Sequence, residues 1–142
     1  MTALWRHKDV WTLPGKDFIV QVHRHSVEQR PSYYGDTGPH RWCVYAFIYP
    51  KHPHFARFSG GAMWQDAATA LPLHGGPSLL NWHFDNDKAA CSVQVGADYN
   101  HLHDDCYTHM ETREDAREVF SDAEGLHEWL TRAATVEAEA AA

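Results

Sequence analysis

The most constraining feature of the sequence is the segment from Trp42 to Tyr49, which is apolar on both faces that a strand would present. Aromatic and β-branched residues dominate it, and these residue types favour strands. A strand that is apolar on both sides must be covered on both sides, so it belongs in the middle of a sheet. Pro50 and Pro53 follow, and proline is poorly tolerated inside a central strand. The sequence therefore predicts a central strand that ends near Tyr49.

Strict alternation of apolar and polar residues marks further strands. Between Asp17 and Val27, apolar residues alternate with a polar set that includes His23 and His25, the pattern of a half-buried strand. Residues 80–84 and 91–97 alternate in the same way on either side of the turn formers at 85–88. This arrangement predicts a β-hairpin.

Other segments carry different signals. Apolar residues between Met63 and Leu71 recur at helical spacing, and Tyr107–Met110 is interpreted as a short fifth strand. Thr112–Asp115 resembles a helix start, and Ser121–Glu124 has the spacing of a capping box. We expect the C-terminal helix that follows to end within residues 131–136.

The resulting order of elements, β-β-α-β-β-(β)-α, predicts an α+β fold. The simplest packing is an antiparallel sheet of four to five strands with two or three helices on one face. A chain of 142 residues fits one domain. We assign that domain to residues 1–136 and expect the Glu/Ala-rich tail at 137–142 to fray.

Charge is distributed unevenly along the chain, whose net charge is −7. Residues 1–84 carry eight Lys and Arg against five Asp and Glu, whereas residues 85–142 carry four against fourteen. Because phosphate charge sets most of the affinity of proteins for nucleic acid, an acidic chain disfavours such a partner. The sequence has no apolar run of about 18 residues and no apolar signal-peptide core, so we expect a cytoplasmic protein without a membrane partner.

The most chemically equipped segment is Asp98–His109, which contains histidines, aspartates and a cysteine. Imidazole, carboxylate and thiolate are metal ligands, and zinc is the cofactor that such a set would bind. The alternative is a polar loop whose side chains bond to the backbone. The candidate metal ligands are His101, His103, Asp105, Cys106 and His109.

Part of this segment resembles a hydrolase motif. His101-x-His103-x-Asp105 is similar to the opening of the His-x-His-x-Asp-His motif of metallo-β-lactamase-type hydrolases, and Cys106 stands in place of the last histidine. That fold needs more layers than one small domain holds. The motif therefore supports metal binding or a metallohydrolase only as an alternative function.

Two surfaces are candidates for binding a partner. Alternation places histidines on the polar faces of two predicted strands, and the strand that is apolar on both faces can add aromatic residues to the same surface. Tyr and Phe often anchor interfaces. A second copy of the chain could cover the same face and form a homodimer. The acidic C-terminal half could attract a basic partner surface. The first surface comprises His23, His25, Tyr45, Phe47, Tyr49 and His83, and the second comprises Glu114, Asp115, Glu118 and Asp122.

Five short sequence segments, WRHK, WTLPGK, HRWCVY, YPKHP and LHGGPS, are spread over most of the chain. Together they resemble segments of small accessory proteins of tailed bacteriophages and prophages. The resemblance implies a non-enzymatic protein of the bacterial host cytosol that binds a host or phage protein, such as an inhibitor of a host defence system. A homo-oligomeric structural component is a further alternative. The five segments begin at Trp5, Trp11, His40, Tyr49 and Leu73, in that order.

Overall fold

A computed structural model of the chain describes residues 5–27, 38–55, 79–99 and 105–141. These residues form one five-stranded sheet with the order β1-β2-β3-β5-β4, in which every neighbouring pair is antiparallel. The α+β fold and its antiparallel sheet are thus confirmed. The strands are β1 (Trp5–Gly15), β2 (Phe18–Val27), β3 (His40–Ile48), β4 (Leu79–Phe84) and β5 (Ala90–Asp98), and a 3-10 helix (Asp105–His109) precedes helix α1 (Arg117–Ala141).

Strand β3 is the middle strand of the sheet, as its doubly apolar sequence predicts. On the side that faces α1, the side chains of Val44, Ala46 and Ile48 are fully buried. The residues between them lie on the other side and are buried or half-buried. Full burial on the α1 side, with partial burial on the other, suits a strand without polar alternation.

Strand β1 was not predicted from the sequence, and it lies at one edge of the sheet. It joins β2 through a two-residue turn at Lys16 and Asp17, and Asp17 adopts a φ of 64°. Aspartate tolerates this left-handed conformation better than most residues do. Pro14 lies near the end of β1, a position compatible with an edge strand.

Helix α1 buries one apolar face against β2 and β3. Ala123, Leu126 and Leu130 are fully buried in a single core together with the inward side chains of the sheet. Burying a leucine side chain contributes on the order of 2 kcal/mol relative to leaving it in water. The apolar spacing along α1 therefore accounts for its docking on one side of the sheet.

The prediction of a strand at Tyr107–Met110 is wrong, because the 3-10 helix occupies most of this segment. Its backbone is held by side chains instead of by a strand ladder. The indole Nε1–H of Trp42 donates to the carbonyl of Met110 at 2.9 Å, and the hydroxyl of Thr108 accepts from the backbone N–H of Gly38 at 2.7 Å. Such contacts from distant parts of the chain are invisible to local periodicity.

Arg24, which forms an ion pair with Asp9, holds the backbone of Glu111, the residue that follows Met110. Arg24 is 8% exposed and its Nη2 lies 2.5 Å from Oδ2 of Asp9, on the neighbouring strand. Its Nη1 donates to the carbonyl of Glu111 at 2.6 Å. A buried guanidinium needs both a counter-charge and hydrogen-bond acceptors, and these two contacts supply them to Nη1 and Nη2, whereas Nε is buried without an acceptor among the described residues.

A reciprocal cap holds the turn at residues 112–116 that leads into helix α1. The hydroxyl of Thr112 accepts from the N–H of Asp115 at 3.1 Å, and Oδ2 of Asp115 accepts from the N–H of Thr112 at 3.3 Å. These bonds lower the pKa of Asp115. The alternative start at Ser121 is wrong, because Ser121 lies inside α1. The helix also continues to Ala141, past the expected end at 131–136. It is the one α-helix within the described ranges, and the segment predicted as a helix at 63–71 lies outside them.

Replacing Thr112 with alanine tests the cap. We expect the free energy of unfolding to fall by about 1 kcal/mol, because the turn that leads into α1 loses its side-chain acceptor. Thr131→Ala is the control, since the Thr131 hydroxyl donates to the His127 carbonyl inside the same helix and caps neither end of it. We expect that change to be close to neutral. Urea denaturation followed by circular dichroism measures both, and equal losses would contradict the cap.

Candidate functional site

The side of the sheet opposite to α1 gathers most of the predicted aromatic and histidine residues. The alternation that points Val20, Val22 and Val44 towards α1 places the residues between them on the other side. We call this side the distal face. Its main residues come from three strands and are His23 and His25 of β2, Tyr45 and Phe47 of β3, and His83 of β4.

The centre of the distal face is a packed pair of rings. The rings of His23 and Tyr45 meet edge to face with centroids 4.9 Å apart. His23 is 8% exposed, and its Nε2–H donates to the side-chain oxygen of Gln21 at 2.8 Å. His25 lies next along the strand, with its ring centroid 6.0 Å from that of His23. The inner part of the face is therefore preorganised by contacts between its own side chains.

Tyr45 lies over a glycine of the neighbouring strand. Tyr45 and Gly96 are paired in the register of β3 and β5. A Cβ atom on Gly96 would lie 2.4 Å from Cδ1 of Tyr45 and 2.3 Å from the carbonyl oxygen of Val44. Burial, followed by a side-chain hydrogen bond with Cys43, raises the pKa of the Tyr45 hydroxyl. Tyr45 is therefore a neutral, half-buried phenol whose position depends on the absence of a side chain at residue 96.

The outer part of the distal face is more accessible. Phe47 is half-buried and its ring centroid lies 6.0 Å from that of His83, which is exposed. The Nε2–H of His83 donates to the side-chain oxygen of Gln94 on β5 at 2.9 Å. Tyr49 is 36% exposed and follows the end of β3, where its N–H donates to the carbonyl of Asp17. An accessible aromatic ring beside polar hydrogen-bonding groups is a typical composition for a protein interface.

The acidic residues predicted for the second surface have structural contacts of their own. Asp115 caps the turn that leads into α1, Glu118 accepts from the hydroxyl of Tyr107 at 2.8 Å, and Asp122 accepts from the hydroxyl of Tyr99. Glu114 is exposed just before the helix. Three of these four carboxylates thus hold α1 and the segment before it in place, which the sequence pattern did not reveal.

The predicted metal ligands are only partly covered by the structure. His101 and His103 lie outside the described residues, and Asp105 is described only as the first residue of the 3-10 helix. Cys106 and His109 are exposed. Within the described parts of the chain, no group of three or more potential ligands lies together. Metal binding by this segment stays a prediction from the sequence.

Gly96 and Gln94 are site residues that the sequence analysis missed. The alternation of β5 places Gln94 on the polar side, which is a usable signal. Their relevance depends on the pairing of β5 with β3, two strands that are not consecutive in the chain. Strand order was not predictable from the sequence pattern, so their contacts with Tyr45, Phe47 and His83 were not either.

Comparison with known proteins gives no relative for this chain: no family model, curated protein or solved structure matches it. Among the helical residues that the structure describes, no helix is both long and apolar enough to cross a membrane.

Proposed function

We propose that the protein acts by binding a protein partner on the distal face. The observation that carries this proposal is the convergence of His23, His25, Tyr45, Phe47 and His83 from three strands on the side of the sheet that α1 does not cover. Aromatic rings fixed by a sheet lose little conformational entropy on binding, so they are efficient anchors. The polar groups around them supply hydrogen bonds of the kind found at interface rims.

The chemistry of this face supports a protein as the partner more than a nucleic acid. Among the residues whose described side chains lie on the distal face, Arg41 is the one Lys or Arg, and its Nη1 donates to the backbone carbonyls of Gly38 and His40. The whole chain is acidic, with a net charge of −7. A surface that binds nucleic acid needs clustered cations to replace the counterions of the phosphates.

The resemblance to phage and prophage accessory proteins supports a more specific version of this proposal. In that version the partner is a protein of the bacterial host, such as a component of a defence system, and the chain inhibits it without catalysing a reaction. Binding takes place in the host cytosol. The sequence resemblance supports the identity of the partner, and the distal face supports the binding step.

The test compares two variants, each with two alanine substitutions, on opposite sides of the molecule. Phe47→Ala with His83→Ala truncates the accessible part of the distal face, and Glu114→Ala with Glu124→Ala truncates exposed acidic residues before and within α1. Affinity capture from bacterial lysate identifies a partner, which is then purified for calorimetry. We expect the first variant to weaken binding about tenfold or more, since anchors of this kind each contribute more than 1 kcal/mol. The second variant should bind like the wild type.

The other outcomes identify the competing functions. Loss of binding in the acidic variant alone would place the interface on the α1 side and overturn the proposal. Capture of a second copy of the chain, with dissociation caused by the distal variant, would assign the face to a homo-oligomer. Binding that nuclease treatment removes would assign it to nucleic acid.

A further inference from the structure

Three histidines surround the middle of α1 at the end of the sheet where β3 leaves it. His52 and His54 lie in the turn after β3, and His127 lies on α1. The Nε2–H of His127 donates to the carbonyl of Pro14 at 2.7 Å. The ring of His54 stacks on Trp129, with centroids 4.4 Å apart and planes 17° apart. Their side chains do not belong to the distal face as defined above, and the proposed function does not use them.

His52 is the buried member of this group, with 2% exposure. Its Nε2 lies 2.9 Å from the carbonyl oxygen of Leu130 in α1, and its Nδ1 lies 3.1 Å from the backbone nitrogen of His54. A carbonyl can only accept and a backbone N–H can only donate, so the partners define the tautomer. Nε2 carries the proton, and Nδ1 must be unprotonated to accept.

Protonation of His52 is incompatible with this arrangement. A second proton on Nδ1 would point at the N–H of His54, so one hydrogen bond would be replaced by a repulsive contact between donors. The ring is also buried against Phe18, whose ring it meets at 82° with centroids 5.4 Å apart. Burying a charged ring is unfavourable, and the ring avoids this cost by leaving its site, which also breaks its bond to the Leu130 carbonyl of α1.

The other two histidines do not share this constraint. The bond from His127 to Pro14 uses a proton that is present in both charge states of the ring. A charged His54 can still stack on Trp129, because cations are attracted to the face of an indole. His52 is therefore the member of the group whose described contacts require the neutral ring.

We propose that His52 is a proton-sensitive latch that fastens α1 to the turn after β3, closed when its ring is neutral and opened when the ring is protonated. The latch consists of the His52 ring, the Leu130 carbonyl and the His54 N–H. Opening it removes the hydrogen bond that joins the middle of α1 to this turn. The released element is the second half of α1, whose Leu130 packs into the core beside it.

The surroundings of the latch shift the pKa of His52 in opposite directions. Burial lowers the pKa of His52 and is the largest influence, while the bond to Leu130 and the charge of Asp17 in the β1–β2 turn raise it. His54 neighbours the ring at 5.4 Å between centroids, and His127 faces it across Phe18. Because the pKa is lower in the folded protein than the ordinary 6.5, the unfolded chain takes up the proton first. The contribution of the neutral His52 ring to stability is complete above pH 6.5. It is lost progressively as the pH decreases from there to the pKa of His52 in the folded protein.

The test measures amide hydrogen exchange in α1 at pH 7.5 and 5.5, with intrinsic rates corrected. In the wild type we expect the protection of residues 126–133 to fall about threefold or more on acidification, because the folded state must take up a proton at a buried site. His52→Gln keeps a donor but cannot titrate, so its protection should depend less on pH. His83→Gln is the matched control, since His83 is exposed on the opposite side of the sheet and its loss should leave the wild-type pH dependence unchanged.

The protonation state of the His52 ring can also be measured directly in the wild type, which does not require that His52→Gln folds. Long-range proton–nitrogen correlation spectra of the wild type should show the Nε2–H tautomer at pH 7.5. The loss of protection in α1 should then follow the titration of this ring. A ring that is charged or protonated on Nδ1 at pH 7.5, or a pH dependence that His52→Gln leaves intact, would overturn the latch. Neither result bears on partner binding by the distal face.

Discussion

Trp42→Ala is expected to lower the free energy of unfolding by about 3 to 5 kcal/mol, enough to unfold a marginally stable domain. Trp42 is fully buried, and its ring packs with Trp11 and Phe120 at centroid distances of 5.7 and 5.8 Å. These contacts join β1, β3 and α1, so the substitution leaves a cavity where three elements meet. Urea denaturation measures the loss.

Two further variants separate the parts of this effect. Trp42→Phe keeps an aromatic ring but leaves the Met110 carbonyl without the indole donor, so we expect a loss of about 1 to 3 kcal/mol. Trp82→Ala removes the same side chain from the edge strand β4, where it is only partly buried. We expect the smaller effect there, and an equal loss at Trp82 would contradict the central role of Trp42.

Gly96→Ala is expected to destabilise the sheet and to remove partner binding together. The added Cβ would lie 2.3 Å from the carbonyl oxygen of Val44, which is backbone and cannot rotate away. Strands β3 and β5 must separate, and Tyr45 must leave its place on the distal face. Overpacking of this kind costs about 1 to 3 kcal/mol, and more where backbone has to move. Denaturation and calorimetry with the purified partner measure the two effects.

Gly125→Ala is the matched control for this substitution. A Cβ on Gly125 meets nothing within 4 Å, and the residue lies inside α1. Alanine favours a helix over glycine, so we expect a gain in stability of about 0.5 to 1 kcal/mol. If Gly96→Ala proved as harmless as Gly125→Ala, the close approach of Tyr45 to β5 would not be a requirement of the fold.

Much of the sheet was predictable because local patterns reflect burial directly. The alternation in residues 17–27 and the doubly apolar run at 42–49 correspond to β2 and β3, and the turn formers at 85–88 lie between β4 and β5. For β2 and β3 the faces deduced from the sequence are the faces observed, whereas Phe84 and Cys91 of the hairpin, predicted on its apolar face, are exposed. The alternation of His23 and His25 with apolar residues likewise placed both histidines on the polar side.

The missed elements are those that depend on contacts distant in sequence. Strand β1 is an edge strand whose Trp11 and Leu13 are only partly buried, so its alternation is diluted by polar residues. The segment before α1 is held by Trp42 and Arg24, which precede their partners in it by 68 and 87 residues. No window of neighbouring residues contains this information.

The candidate site divides in the same way. That Tyr45, Phe47 and the histidines are surface candidates followed from residue type and alternation. That Tyr45 rests on Gly96, and His83 on Gln94, follows from the pairing order of the strands. The structural roles of Asp115, Glu118 and Asp122 also required the fold, because a carboxylate that holds a helix and one that attracts a partner look alike in a sequence.

The strand order has a consequence for how binding and folding are linked. Strands β1, β2 and β3 form a meander of consecutive strands, and β4 and β5 form a separate hairpin. These two modules meet in the sheet only where β3 pairs with β5. Pairings between consecutive strands close short loops and form readily, whereas the seam between modules closes a long one. The distal face crosses that seam, so an occupant that touches both Tyr45 and His83 would clamp the two modules together and oppose their separation.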